Sequence, residues 1–432
     1  MYLLERDDIM INKKLLIDDF ENTARKIGYK GVSRELLEEA RDVILERGKI
    51  QKALDDKREE INNINDEIKK RIVEGKSIDD LKDKTRTLKD EIPPLEGEYQ
   101  ELEAKESKCL YEIPNLPDDS CPVGNSEEDN IVLEYVNYDE NNYKNKTFLP
   151  HWELGEKLDI FDSKTATKLS GAMFSLLKKD GARMIRALVN LALDLNREKY
   201  TEILAPHFVT TKTITGTGHL PKFKDDQYKI ENEDLWANPT AEVPLTGMHA
   251  GDVFEENELP KRYMAYCVSF RREAGSAGKD TRGMQRLHEF HKVEMMGLCK
   301  PEQVMDEFNA MVKDARRIID LLKLPYRVLE LCTGDVGDKY AKCYDLEVYA
   351  PGVDKWLEVS SIGFFTDYQS RRCNIKYKKE DGSKELVYTY NGSGMATPRV
   401  WAAILENYQN EDGSITIPEV LRPYMGGKEK IN

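Results

Sequence analysis

Apolar residues recur at Val43, Ile50, Leu54, Ile61, Ile64, Ile68 and Ile72. Their spacings of three, four and seven are those of a coiled-coil seam, which needs a second helix to cover it. Ser33 can cap this helix, and Leu36 and Leu37 open its periodic run. At ~1.5 Å per residue it would be roughly 58 Å long. Gly75 ends the run, and a second series follows at Ile78, Leu81, Leu88, Ile92, Leu95, Tyr99 and Leu102, with Thr85 in phase. Two long heptad segments around one short turn predict an antiparallel helical hairpin over about 34–106. With little to pack on except its own partner helix, the hairpin is expected to project from the body. Residues 1–32 read as a short helical lead-in punctuated by Gly28 and Gly31.

Pro93 and Pro94 lie inside the second heptad series. Each removes a backbone donor, so the pattern predicts a kinked or interrupted helix with a bend near residue 92.

The chain has 432 residues, more than one typical domain holds. Its net charge of −15 argues against a protein that coats nucleic acid through a general positive field. A local basic track remains open to it, at Arg271, Arg272, Lys279, Arg282 and Arg286. The seven cysteines are scattered and form no CxxC pair. That pattern argues against a disulfide framework and a structural zinc site, and points to the reducing cytosol. The opening MYLLERDDIM lacks the basic-then-apolar order of a signal peptide. No apolar run approaches the ~20 residues that span a bilayer.

Between about residues 113 and 130 the composition shifts to Pro, Asp, Asn and Ser, as a linker does. The expected division is an N-terminal domain over 1–112 and a second domain over 113–432. In the latter, GARMIRALVNLALDLNREK has one apolar face, as a helix would. YTEILAPHFV, RYMAYCVSFR, HKVEMMGL, DLEVYA and WLEVSSI read as strands. No βαβ rhythm and no GxGxxG is present, so the expected class is α+β, a largely antiparallel sheet with helices packed on it.

The segment FRREAGSAGKDTRGMQRLHEFHKVE, residues 270–294, places a Gly- and Arg-rich loop between two strand-like ends. Arg271 and Glu273, two apart, would share one strand face. The planar fork of Arg271 suits a phosphate, and the loop glycines permit close backbone approach. GSAGKD is not a P-loop: Gly275 and Gly278 are too close, and Asp280 follows Lys279 where Ser or Thr is required. Glu294 sits among Val293, Met295 and Met296, where a carboxylate needs a partner. His288 and His291 read as structural.

The same segment resembles motif 2 of the seryl-tRNA synthetases, which are class II aminoacyl-tRNA synthetases. IPNLP, HWELGEKLDIFD, GTGHLPKF, PTAEVPLT, LPYRVLELCTGDVGD, YDLEV, EVSSIGFFTDYQSRR, NGSGMATPRVWAAILENYQ and IPEVLRPYMGG are similar to segments of that family in its order, over nearly the whole chain. The resemblance implies a serine–tRNA ligase that uses ATP and Mg2+, with a class II catalytic domain over 113–432 and a tRNA-binding hairpin. Thr240, Glu242, Arg271, Glu294, Asn391 and Ser393 would bind serine. Arg271, Glu273, Leu287, Phe290, Glu358, Ser361 and Arg399 would bind ATP, with Phe290 stacked on the adenine, Arg271 on the α-phosphate and Arg399 on the γ-phosphate. Arg271, Glu294 and Arg399 would carry catalysis, and Glu358 and Ser361 the magnesium. The partners implied are the serine-accepting tRNA, with selenocysteine tRNA as a second candidate, and a second copy of the chain meeting it near Pro206.

The chain departs from the family pattern at Met173, Glu289, Gly363 and Phe364, and in the Pro93–Pro94 pair. Those departures motivate an alternative: a paralogue that forms seryl-adenylate but delivers serine to another acceptor. A third class, a non-catalytic protein that keeps the fold, sits poorly with intact Arg271, Glu273, Glu294, Glu358 and Arg399.

Overall fold

A computed structural model describes residues 11–274 and 282–432. The centre of the Gly-rich loop, including Gly275, Gly278, Lys279 and Asp280, and the opening MYLLERDDIM lie outside the described residues. Two compact units divide the chain, one over Met10–Pro114 and the other over Asn115–Asn432.

The first unit is helical: α1 (Lys13–Asp18), α2 (Phe20–Gly28), α3 (Arg34–Val73) and α4 (Asp79–Tyr111). The Ser33 hydroxyl accepts the Leu36 N–H and so caps α3. Gly75, at φ +67°, turns the chain between the long helices. Val43, Leu54 and Ile64 of α3 and Thr85 and Leu88 of α4 are buried in the seam. Ile72, the last seam position of α3, is 60% exposed because the helix ends one residue later. At the other end, the Arg47 guanidinium meets Glu106 at 2.8 Å and Lys13 meets it at 2.5 Å, with all three side chains largely buried.

The interruption expected at the prolines does not occur: α4 runs through Pro93 and Pro94. Both prolines are exposed while Ile92 and Leu95 pack inward. The carbonyls that lose their donors therefore face water, and seam packing holds the helix together across the gap.

The second unit is built on an eight-stranded sheet. Its strands are β1 (Ile131–Val136), β2 (Thr201–Glu202), β3 (Lys261–Phe270), β4 (Glu289–Cys299), β5 (Tyr326–Glu330), β6 (Lys342–Ala350), β7 (Lys355–Thr366) and β8 (Tyr388–Ala396), in the order β1-β5-β6-β7-β8-β4-β3-β2. Every pairing is antiparallel except β2 with β3. YTEILAPHFV is not one strand: Ala205 and Pro206 separate β2 from a two-residue strand at Phe208–Val209.

Alternation along β4 sorts the two faces of the sheet. Val293 and Met295 point to a core shared with α5 (Lys179–Asn196), α6 (Val304–Leu321) and α7 (Thr397–Asn407), through Met184, Phe308, Met311 and Trp401. Phe290, Lys292 and Glu294 point the other way, into an open cavity.

Candidate active site

The cavity holds about 550 Å³. Thr240, Glu242, Arg271, Glu273, Leu287, Phe290, Glu294, Glu358, Ser361, Asn391, Ser393 and Arg399 all line it. Every residue singled out from the sequence for substrate contact is therefore brought to one place.

Its floor is a buried polar network. Glu294 is fully buried on β4. Its carboxylate accepts from the Thr240 hydroxyl at 3.2 Å and the Asn391 amide at 2.8 Å, and it ion-pairs with Lys292. The Lys292 ammonium also donates to Thr240 at 3.2 Å. Glu242, 2% exposed, accepts from Lys339 at 2.7 Å on each oxygen, from Gln369 at 2.6 Å and from Asn391 at 3.0 Å. The two hydrogens of one amide, Asn391, thus bridge both carboxylates. Tyr340 donates to the Asn391 oxygen at 3.3 Å.

Arg271 does not sit on the strand face expected for it. β3 ends at Phe270, and Glu273 lies at φ +51°, so the chain has left the pleat and the two-residue rule no longer applies. Both side chains still reach the cavity, by different routes. The Arg271 guanidinium lies 5.2 Å from the centre of the Phe290 ring, and its backbone N–H donates to the His288 carbonyl. Glu273 pairs with Arg286 at 3.0 Å.

Arg399 enters from the first turn of α7. It donates to the Gln285 carbonyl at 3.1 Å and the Glu358 carbonyl at 2.7 Å. Glu358 and Ser361 are three residues apart, so a regular strand would put them on opposite faces. A register shift between Glu358 and Ser360 brings both to the cavity. Nearby, burial and the charge of Glu358 push the Asp345 carboxyl well above the usual carboxylate range. Glu358 and Ser361 offer hard oxygen donors of the kind a magnesium ion takes.

His288 and His291 each bond a neighbouring residue of the protein. The first bonds the Arg271 carbonyl at 3.0 Å and the second bonds Tyr266 at 2.7 Å. Lys292, Lys339, Tyr340, His219 and Gln369 were not foreseen. Lys292 was within reach, because it shares its strand face with Glu294. The others come from loops and a short helix, where no periodicity marks them.

The departures sit in different surroundings, and Gly363 has a steric reason. A Cβ on Gly363 would lie 2.4 Å from the Tyr340 ring, so a side chain there would displace Tyr340. Phe364 is buried in the core. Met173, at φ +61°, offers its carbonyl to the His288 N–H. Glu289 is exposed.

An antiparallel sheet carrying buried carboxylates between two cavity arginines is the core of a class II aminoacyl-tRNA synthetase. Residues 223–408 match the family description "tRNA synthetase class II core domain (G, H, P, S and T)", and residues 10–117 match "Seryl-tRNA synthetase N-terminal domain". The serine–tRNA ligase of Pelobacter propionicus is 42% identical over 98% of this chain and 100% of its own length. That of Dehalococcoides mccartyi is 49% identical over 78% of this chain and 81% of its own. The structure of seryl-tRNA synthetase from Pyrococcus horikoshii complexed with ATP superposes with a TM-score of 0.91 at 34% identity, covering 98% of this chain and 99% of that one. The chain belongs to the seryl-tRNA synthetase family.

Proposed function

We propose that this chain activates serine with ATP and transfers it to the serine-accepting tRNA. The observation that carries the reading is the single cavity in which buried Glu294, Glu242 and Thr240 face Arg271 and Arg399. A serine carboxylate oxygen attacks the α-phosphorus, the bond to the β-phosphate breaks, and pyrophosphate leaves. The chemistry needs no covalent nucleophile from the chain; it needs two anions positioned and the growing charge neutralised. Arg271 holds the α-phosphate and Arg399 the γ-phosphate, with Phe290 and Leu287 at the adenine and Glu273 beside it. Glu294 and Thr240 receive the amino group or hydroxyl of serine, and Asn391 and Ser393 close around its small side chain. Glu358 and Ser361 would hold magnesium, which screens the phosphate charge when bound.

In the second step a ribose hydroxyl of the tRNA attacks the activated carbonyl and AMP leaves. Residues 1–112 serve the tRNA, and 113–432 the chemistry. Selenocysteine tRNA is a second acceptor under this reading. A homodimer completes it: Leu204 (86% exposed) and Phe208 (49%) flank exposed Pro206 and offer apolar surface to a second copy. Seven free, buried thiols fit a reducing cytosol. Among the described residues no helix is long and apolar enough to cross a membrane.

The test is serine-dependent pyrophosphate exchange beside charging of total tRNA, both on the full chain. Activity in both is expected. Exchange without charging would move the assignment to the paralogue that serves another acceptor, and absence of both would overturn it.

A further inference from the structure

The floor of the cavity is balanced in charge before any substrate arrives. Two carboxylates, Glu242 and Glu294, face two ammonium groups, Lys339 and Lys292. The two pairs are not equivalent. An ionised carboxylate offers about four acceptor positions. At Glu242 all four are taken: two by Lys339, one by Gln369 and one by Asn391. At Glu294, Lys292, Thr240 and Asn391 take three, so among the described residues one position remains on the oxygen that Asn391 meets.

Lys339 is held in place from behind. Asn115, in the IPNLP segment, donates to the Lys339 carbonyl at 3.0 Å and to the Phe365 carbonyl at 2.8 Å. Asp338 ion-pairs with Lys222. Tyr340 stacks on Phe365 at 4.7 Å between ring centres, over the space that Gly363 leaves clear. The Lys339 ammonium also faces the His219 ring nitrogen at 3.5 Å. Burial holds the His219 imidazole well below its usual range, and the Lys339, Arg271 and Lys292 charges add to that, so the ring is neutral and accepts. Burial lowers Lys339 as well, and Glu242 opposes that shift.

We propose that Lys339 is a specificity-determining residue of the amino-acid pocket: by saturating Glu242 it leaves one carboxylate position open, so the pocket accepts one ammonium group and rejects a substrate that carries two. The inference rests on the reading of this cavity as the serine pocket. The substrate it excludes is the isostere in which an ammonium replaces the serine hydroxyl, 2,3-diaminopropionate. With Lys339 present, its second ammonium would meet a filled Glu242 and add an uncompensated charge to a buried site. Without Lys339, Glu242 could receive it. Rejection through a filled partner is a repulsive device, distinct from the attractive contacts that hold serine.

The experiment is pyrophosphate exchange on the full chain at about pH 6, where both amino groups of 2,3-diaminopropionate are charged, with each amino acid as substrate. The quantity read is the ratio of kcat/KM for serine to that for the isostere. Lys339→Met is expected to lower this ratio at least about tenfold through gained activity on 2,3-diaminopropionate. Lys339→Gln, a neutral variant that keeps a donor to Glu242, should shift it in the same direction should the Met variant fold poorly. Lys339→Arg keeps the cation and should keep the wild-type ratio. An unchanged ratio in both neutral variants, or an equal shift in Lys339→Arg, would overturn the proposal while leaving serine activation standing. Absence of serine-dependent exchange in the wild type would remove the underlying reading of the pocket, and the proposal with it.

Discussion

Across the hairpin, Lys57 meets Glu91 at 2.5 Å, Arg58 meets Glu96 at 2.8 Å and Lys84 meets Glu60 at 2.7 Å, all at the surface. In the cavity, Lys292 meets Glu294 and Lys339 meets Glu242 almost out of reach of solvent. The bonds look alike but have different consequences. An exposed pair in water contributes ~0–1 kcal/mol and is screened by salt. A buried pair adds little net stability, yet losing one partner strands a charge. The hairpin can therefore vary its pairs freely, whereas each cavity pair fixes both the geometry of the floor and the charge a ligand will meet. The base of the hairpin follows the cavity's rule, because Glu106 is buried between Arg47 and Lys13.

The largest effect that would break this comparison lies in the cavity. Arg271→Ala and Arg399→Ala should each lower serine-dependent pyrophosphate exchange by about 10²–10³ with the fold retained, as loss of a preorganised charge does. Exchange at wild-type rate in either variant would remove the assigned role. Next in size is a contrast within the hairpin, read as thermal or denaturant midpoints. Glu106→Ala should cost about 3 kcal/mol by stranding Arg47 and Lys13, whereas Glu91→Ala should cost less than about 1 kcal/mol. Equal losses would show that burial is not the deciding variable.

A smaller effect concerns Glu358. Its replacement by Ala should raise the magnesium concentration needed for half-maximal exchange without unfolding the chain, since the Glu358 side chain is about half exposed and pairs with Arg399 at 3.6 Å. An unchanged magnesium requirement would place the ion elsewhere. The smallest is at the prolines. Pro93→Ala with Pro94→Ala restores two helical donors, so hydrogen exchange near residues 89–97 should slow while pyrophosphate exchange stays constant. Unchanged protection would mean that the seam alone sets local stability there.

Much of this was legible in the residues. The seam from Val43 to Ile68 and the strands at Lys261–Phe270 and Glu289–Cys299 followed from period alone, because each buries one face along its length. The gathering of Thr240, Glu294, Asn391 and Arg399 followed from motif resemblance. Three things were not legible. Whether α4 survives its prolines depends on which way they face, and that is set by the partner helix. The turn that carries Glu273 to positive φ obeys no alternation. Lys339 lies in a loop whose position is set by Asn115 and Asp338, contacts 224 residues apart in the chain for Asn115 and Lys339. Charge balance on the cavity floor is a property of the folded site, and no window of sequence contains it.

The central claim is that the cavity alone activates serine and the hairpin alone brings the tRNA. The most direct test runs pyrophosphate exchange and tRNA charging on the full chain and on a variant lacking residues 34–106. The account predicts both activities in the full chain and exchange without charging in the shortened one. Charging by the shortened chain, or no serine-dependent exchange by the full one, would contradict it.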